Sequence, residues 1–184
     1  STSAIRTVCE QLKEAGIKDS QILVNTSKGL ELPSLKRMSE VIKEVLPSQK
    51  FAVLSGPTLA REVLEGQPTA ACVACDDAEI AKFVQKHLNV EGRFRLYTND
   101  DVAGVEFGGS LKNVIAIAAG FLSELNMGDN AKGAILTRGM AEIVRVGTAL
   151  GANPSTFWGL SGMGDLIATC SSPLSRNHTV GRML

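Results

Sequence analysis

One lysine and one asparagine, Lys112 and Asn113, stand inside an otherwise small and apolar run from Gly108 to Gly120. Burying an ammonium is costly unless it is paired, and an unpaired one tends to shed its proton. A lysine kept in such a run is therefore a candidate proton donor. Gly108 and Gly109 precede it by four and three residues, which places them on its helix face. That spacing predicts a cleared pocket with a proton donor and an amide aimed into it. The alternative is a lysine near a helix end whose head snorkels to water.

Other residues could complete that chemistry. The segment Gly159-Leu-Ser-Gly-Met-Gly-Asp165-Leu-Ile-Ala-Thr169 is a glycine-rich loop opening a helix, with an aspartate at its start. Such an aspartate either caps the helix or presents a carboxylate to a site. Ser175-Arg176-Asn177 precedes another helix and reads either as a turn and cap or as an anion site built from a guanidinium, a hydroxyl and an amide. With Lys28, the chain offers three cations (Lys28, Lys112, Arg176), one carboxylate and several uncharged donors. That set suits a small dianion carrying a reacting carbonyl or alcohol.

These residues need a scaffold, and the rest of the chain supplies one. Helical periodicity over residues 3–15 ends at Gly16, and a second amphipathic helix is expected from about Pro33 to Leu46. Short apolar strands are expected at Ile22–Thr26, Phe51–Ser55, Thr69–Cys75 and Phe94–Tyr97, with helices through Leu64 and over Asp77–Leu88. Strands alternating with helices imply a largely parallel sheet with crossover connections. Beyond Asn99 only helices are predicted, over 101–125, 131–150 and 154–158, with Thr98-Asn99-Asp100 as N-cap. The expected division is therefore an α/β part over 1–99 and an all-α part over 100–184. Ligands in open α/β sheets lie beyond the carboxyl ends of strands. Lys28 and Gly56-Pro57-Thr58 both follow such ends.

Composition narrows the classes. Lysine plus arginine and aspartate plus glutamate both number 19 in 184 residues, and aromatics make up 4%. A neutral chain with few stacking rings is a poor nucleic-acid binder. The uncharged stretch 113–123 is shorter than the ~20 residues of a membrane span, so none is expected. The four cysteines are scattered. Cys72-Val-Ala-Cys75 lies in a predicted strand, where residues three apart face opposite sides, so neither a redox pair nor a zinc site is expected. Reduced core thiols in a reducing compartment are the expectation.

Taken together, Ser27-Lys28-Gly29-Leu30, Leu54-Ser55-Gly56-Pro57-Thr58, the Gly108–Ile117 run, Leu136-Thr137-Arg138-Gly139, Gly162-Met-Gly-Asp165-Leu and Ser175-Arg176-Asn177 resemble the NAD(P)-dependent glycerol-3-phosphate dehydrogenases in order and spacing. The resemblance covers nearly the whole chain and is closer to the bacterial and plastid type than to the animal cytosolic type. It implies the second half of a Rossmann-like dinucleotide-binding domain, followed by the start of an all-α domain like that of 6-phosphogluconate dehydrogenase. It implies NAD or NADP as cofactor, dihydroxyacetone phosphate and glycerol 3-phosphate as substrates, and supply of glycerolipid precursors. A homodimer in the cytoplasm or an organelle matrix (a plastid included) is implied as well.

Roles follow residue by residue from that resemblance. Lys112 matches the proton donor and acceptor. Lys28, Asn113, Asp165 and Thr169 match polar groups around the reacting carbon, with Lys28 and Asp165 counted among the catalytic set. Gly56 and Thr58 match substrate-loop contacts, and Ser175, Arg176 and Asn177 the substrate phosphate site. Lys28, Ala60 and Arg176 match cofactor contacts, and no metal is implied.

One departure is large. No strand followed by Gly-x-Gly-x-x-Gly, the turn that receives a pyrophosphate, occurs in these 184 residues. The chain therefore reads as a middle segment, expected to lack dehydrogenase activity and to bind NAD(P)H weakly on its own. Two rival readings remain. The 3-hydroxyisobutyrate and 6-phosphogluconate type places asparagine four residues after lysine, where this chain has Ala116. A non-catalytic binding remnant would also lack the cofactor turn.

Overall fold

The computed structural model describes residues 2–184. The first half is a four-stranded sheet with flanking helices: α1 (Ile5–Glu14), β1 (Ile22–Asn25), α2 (Met38–Val45), β2 (Lys50–Ser55), α3 (Ala60–Leu64), β3 (Thr69–Ala74), α4 (Ala78–Leu88) and β4 (Phe94–Asn99). The strands lie in the order β1-β2-β3-β4. The second half is helical: α5 (Val102–Glu124), α6 (Asp129–Ala149), α7 (Asp165–Ser171) and α8 (Arg176–Arg182). A 3-10 turn (Pro154–Trp158) and a wide, π-type turn (Leu160–Gly164) lead into α7.

The sheet is mixed, which corrects the expectation of a largely parallel one. β1 pairs parallel with β2 and β3 with β4, whereas β2 and β3 run antiparallel. The connection explains the reversal. A five-residue α3 advances only ~7.5 Å, too little to carry the chain back along a six-residue strand of about 20 Å. β3 therefore returns in the opposite direction.

Two other boundaries moved. α2 begins at Met38, not near Pro33, because residues 31–37 form a turn closed by a Leu30–Arg37 bridge. The Arg37 backbone N–H then donates to Glu40 Oε2 at 2.8 Å, capping the helix at that point. At the junction, the cap of α5 is Asp101: its carboxylate accepts from Gly104 N at 2.8 Å, while Asn99 Oδ1 holds the Asp101 N–H. The segment 154–158 is a 3-10 turn, not an α-helix.

Core packing follows the strand alternation. Cys72 lies with Phe51, Val53, Ile42 and Val105 on one face of the sheet, and Cys75 with Leu54, Val73, Val84 and Leu96 on the other. The two thiols diverge as the spacing predicts. All four cysteines are buried and free, and burial pushes the Cys72 and Cys170 thiols up to about 11. No cluster of three or more metal-ligating side chains occurs among the described residues.

α5 organises the second half. Its length and apolarity are those of a helix able to cross a membrane, which the shorter uncharged stretch 113–123 did not suggest. In this fold it packs against α6, α7, α8 and β2, and the charged Glu106 and Lys112 within it are both buried and paired to protein.

Glu106 joins the two halves. Its carboxylate accepts from Ser39 N at 2.8 Å, Ser39 Oγ at 2.6 Å and Arg37 at 3.1 Å, all at the start of α2. Burial raises its pKa, opposed by those Ser39 and Arg37 contacts. Removing one partner of a buried, bonded charge leaves the others orphaned, at about 3–5 kcal/mol. Glu106→Ala is thus expected to lower the unfolding free energy by that order, read as a shift in denaturation midpoint with unchanged slope.

Candidate active site

Three charged groups converge where the sheet meets α5 and α7. Lys28 follows β1, Lys112 sits in the middle of α5, and Asp165 opens α7. Lys28 Nζ donates to Asp165 Oδ2 at 2.7 Å and to the Gly56 carbonyl at 2.8 Å. Lys112 Nζ pairs with the other carboxylate oxygen, Oδ1, and donates to Thr169 Oγ1 at 2.7 Å. Thr169 in turn donates to the Asp165 carbonyl at 2.6 Å. One carboxylate therefore bridges two ammonium groups from distant parts of the chain, Lys28 and Lys112.

Burial makes this cluster electrostatically strong. Lys112 is 5% exposed and Asp165 2%, so screening by water is slight. Burial, then the neighbouring Lys28 charge, pulls the Lys112 pKa down from 10.5 to about 8, while Asp165 pulls the other way. The snorkelling alternative fails: Lys112 lies in mid-helix with its head held by protein. The capping alternative for Asp165 fails too, because no side chain caps α7 and the carboxylate is spent on the lysines.

Local chain chemistry places each group. Gly56 has φ +150°, and a Cβ there would lie 2.9 Å from Ala71 Cα, so only glycine lets the end of β2 turn against β3. That turn presents its carbonyl to Lys28, and also to Thr58 Oγ1 at 3.2 Å. The wide turn before α7 is closed by Gly164 N to the Gly159 carbonyl at 3.1 Å. Turns of this kind recur at functional sites, and this one delivers Asp165 under α5.

Gly108 and Gly109 do clear space, but not an empty pocket. A Cβ at Gly108 would meet the Ser161 carbonyl at 2.7 Å, and one at Gly109 would meet Ser55 Oγ at 2.5 Å. The cleared volume is filled by the segments that bear Asp165 and Lys28.

The remaining candidates divide. Asn113 Oδ1 accepts from Asn177 Nδ2 at 2.7 Å, which ties α5 to α8 beside the lysine cluster. Ser175 is 4% exposed, and its hydroxyl accepts from His178 N as the N-cap of α8, so the turn-and-cap reading holds for this residue. Arg176 is exposed, with no hydrogen bond or ion pair to the cluster among the described residues. Ala60 is exposed at the start of α3.

Two participants escaped the sequence reading. Glu106 lies two residues before the run that starts at Gly108, and nothing in its local sequence marks it as buried. Ser55 precedes the Gly56-Pro57-Thr58 turn, and its buried hydroxyl has no hydrogen-bond partner among the described residues. A cavity of about 780 Å³ along β3 and β4, lined by Arg93, Arg95 and Tyr97, lies away from this cluster.

Comparison with known proteins gives this arrangement its context. Residues 1–81 match the family model described as NAD-dependent glycerol-3-phosphate dehydrogenase N-terminus, and residues 101–184 match its C-terminus. A glycerol-3-phosphate dehydrogenase [NAD(P)+] of Lysinibacillus sphaericus is 54% identical over 186 residues, covering 100% of this chain and 54% of its own. One from Listeria innocua is 52% identical with the same coverage. The chain thus spans 54% of the length of these curated relatives. Both are bacterial, so the plastid alternative finds no support in them. The crystal structure of glycerol-3-phosphate dehydrogenase from Coxiella burnetii superimposes with TM-score 0.91 at 37% identity, over 100% of this chain and 57% of that one. The enzyme from Saccharomyces cerevisiae gives 0.85 at 29%, over 98% and 54%. Two consecutive family models, one on the sheet half and one on the helical half, agree with the motifs and the fold: the chain belongs to the NAD-dependent glycerol-3-phosphate dehydrogenases.

Proposed function

We propose that the full-length protein carrying these residues interconverts dihydroxyacetone phosphate and sn-glycerol 3-phosphate with NAD or NADP, and that Lys112 is the proton donor and acceptor. The observation that carries this reading is the buried Lys112–Asp165–Lys28 cluster with a lysine pKa drawn to about 8. A general acid works best when its pKa is near the working pH, and a free lysine is too basic. Reduction of a ketone leaves negative charge on oxygen. Lys112 Nζ protonates that oxygen in one direction and takes the alcohol proton in the other. Asp165 holds Lys112 in place, and Lys28 keeps the acid from becoming too weak by repelling its charge. A purely binding role gives no reason to set two ammonium groups on one buried carboxylate.

The dinucleotide, when bound, supplies or accepts the hydride. For its contacts we assign Lys28 and Ala60 on the flank beyond β1 and β2, with Arg176 from the start of α8. The partly exposed Lys28 ammonium, held by the Gly56 carbonyl, gives this flank a cation suited to a dinucleotide, although no glycine turn for a pyrophosphate is present in the sequence. Part of the same proposal is a boundary between the two halves at Asn99–Asp100, a homodimer, and a cytoplasmic location. Turnover of dihydroxyacetone phosphate with NADH or NADPH by the full-length protein tests the reaction. No turnover with either cofactor would overturn it.

Arg176 and Asn177 are assigned to the substrate phosphate. The support is their position at the start of α8, tied by Asn177 to Asn113 next to Lys112, with the Arg176 fork left uncommitted. Arg176→Ala is expected to weaken substrate binding by about 1.5–3 kcal/mol, the range for hydrogen bonds to charged groups. Lysine at the same position should rescue it only partly, lacking the planar fork. Unchanged substrate affinity in Arg176→Ala, measured by titration, would remove this assignment.

A further inference from the structure

Lys28 and Asp165 reach Lys112 only because α5 is notched beside it. At Gly108 a side chain would strike the Ser161 carbonyl, on the turn that carries Asp165. At Gly109 an added Cβ would lie 2.5 Å from Ser55 Oγ and 3.4 Å from the Cγ and Cδ carbons of Lys28. Ser55 is 2% exposed, and its hydroxyl bonds to nothing among the described residues. A buried hydroxyl without a partner contributes little by hydrogen bonding. Here it occupies the space above Gly109, next to the Lys28 stem.

We propose that Gly109 and Ser55 form a size-matched pair that seats the Lys28 stem against α5, and so sets the spacing of the Lys28 and Lys112 ammonium groups on Asp165. The inference rests on the proposed reaction and assigns Gly109 and Ser55 as positioning residues for it. The Lys28 ammonium is anchored at one end by the Gly56 carbonyl, the residue directly after Ser55. A shift of Ser55 therefore moves both the wall that the Lys28 stem packs on and the carbonyl that its head bonds. With Ser55 Oγ removed, the nearest neighbours of a Cβ at position 109 would be the Lys28 carbons at 3.4 Å, an ordinary van der Waals contact. The two positions should thus compensate each other.

The test is a double-mutant cycle on the full-length enzyme, read per folded molecule after checking melting temperature and cofactor affinity. Gly109→Ala is expected to lower kcat about tenfold to a hundredfold, the scale of a misplacement near 1 Å, with cofactor affinity unchanged. Gly109→Ala with Ser55→Ala should regain most of that loss. A second readout separates positioning from mere destabilisation. Lys112 is flanked by Lys28, Asp165 and Cys170 as charged or titratable neighbours, and by the Thr169 hydroxyl. Drawing Lys28 away removes a like charge and leaves Asp165 to Lys112 alone, and both changes raise the pH midpoint of the single variant above about 8. The double variant should return it. If Gly109→Ala does not fold, recovery of folding and turnover in the double variant supports the pair, and failure to recover overturns it. Wild-type kinetics in Gly109→Ala overturn the pairing alone. Absence of dehydrogenase turnover in the wild type instead overturns the proposed function and this inference with it.

Discussion

Lys112→Ala is expected to lower turnover in both directions by about a hundredfold or more, the range for losing a positioned general acid, while cofactor binding stays near normal. The reason is local. Lys112 is held by Asp165 and Thr169 in a water-poor site, and no second ammonium is equally buried there among the described residues. Lys28 does not substitute, since its ammonium is committed to the Gly56 carbonyl and the far carboxylate oxygen. Arginine at position 112 should not rescue the loss, because a guanidinium stays protonated at any working pH. Steady-state rates of the purified variant decide the matter. Turnover within a few-fold of wild type would leave Lys112 as a structural residue.

Asp165→Ala should be the more damaging change, because it fails on two counts. It leaves two ammonium groups facing each other with no counterion, and breaking a buried pair in this way costs about 3–5 kcal/mol of stability. Lys28 is 22% exposed at its side chain and turns partly to water, so the lower end of that range applies. The fraction that still folds should turn over about a hundredfold slower, since Lys112 loses the group that orients it. Its pH midpoint should fall below about 8, because Asp165 is the partner that raises the Lys112 pKa against burial and Lys28. Asp165→Asn keeps the shape and one acceptor and should lie between the two. Thermal melts and turnover of both variants check this; a wild-type melting temperature in Asp165→Ala would contradict the buried-bridge account.

What the sequence made legible was mostly local. The helix expected over Asp77–Leu88 and the glycine stop at Gly16 follow from short-range rules, and the structure has both, with Asp77 as the N-cap of α4. The divergence of Cys72 and Cys75 needed only the two-residue period of a strand. The direction of β3 was not legible, because it depends on how far α3 reaches across the sheet, a three-dimensional length rather than a pattern. The helix expected at Pro33 failed for a related reason: the Leu30–Arg37 bridge belongs to a tertiary turn. In the site, residue types marked Lys28, Lys112 and Asp165 as a set, yet nothing local says that one carboxylate joins lysines so far apart in the chain. Ser175 shows how one residue type serves two readings: its hydroxyl caps α8 at the helix end where the anion site was expected. The two glycines before Lys112 were read as room for a ligand and prove to be room for the protein itself.

The central claim is that Lys112 is an acid tuned by its neighbours, and the pH dependence of wild-type turnover tests it most directly. Ketone reduction consumes the ammonium form and alcohol oxidation requires the free amine. Measured from about pH 6 to about pH 10, reduction should fall and oxidation should rise through a common midpoint of about 8. The residual activity of Lys112→Ala should lack that limb. A midpoint near the ordinary lysine value of 10.5, or the same limb surviving in Lys112→Ala, would contradict the assignment of Lys112 as the proton donor.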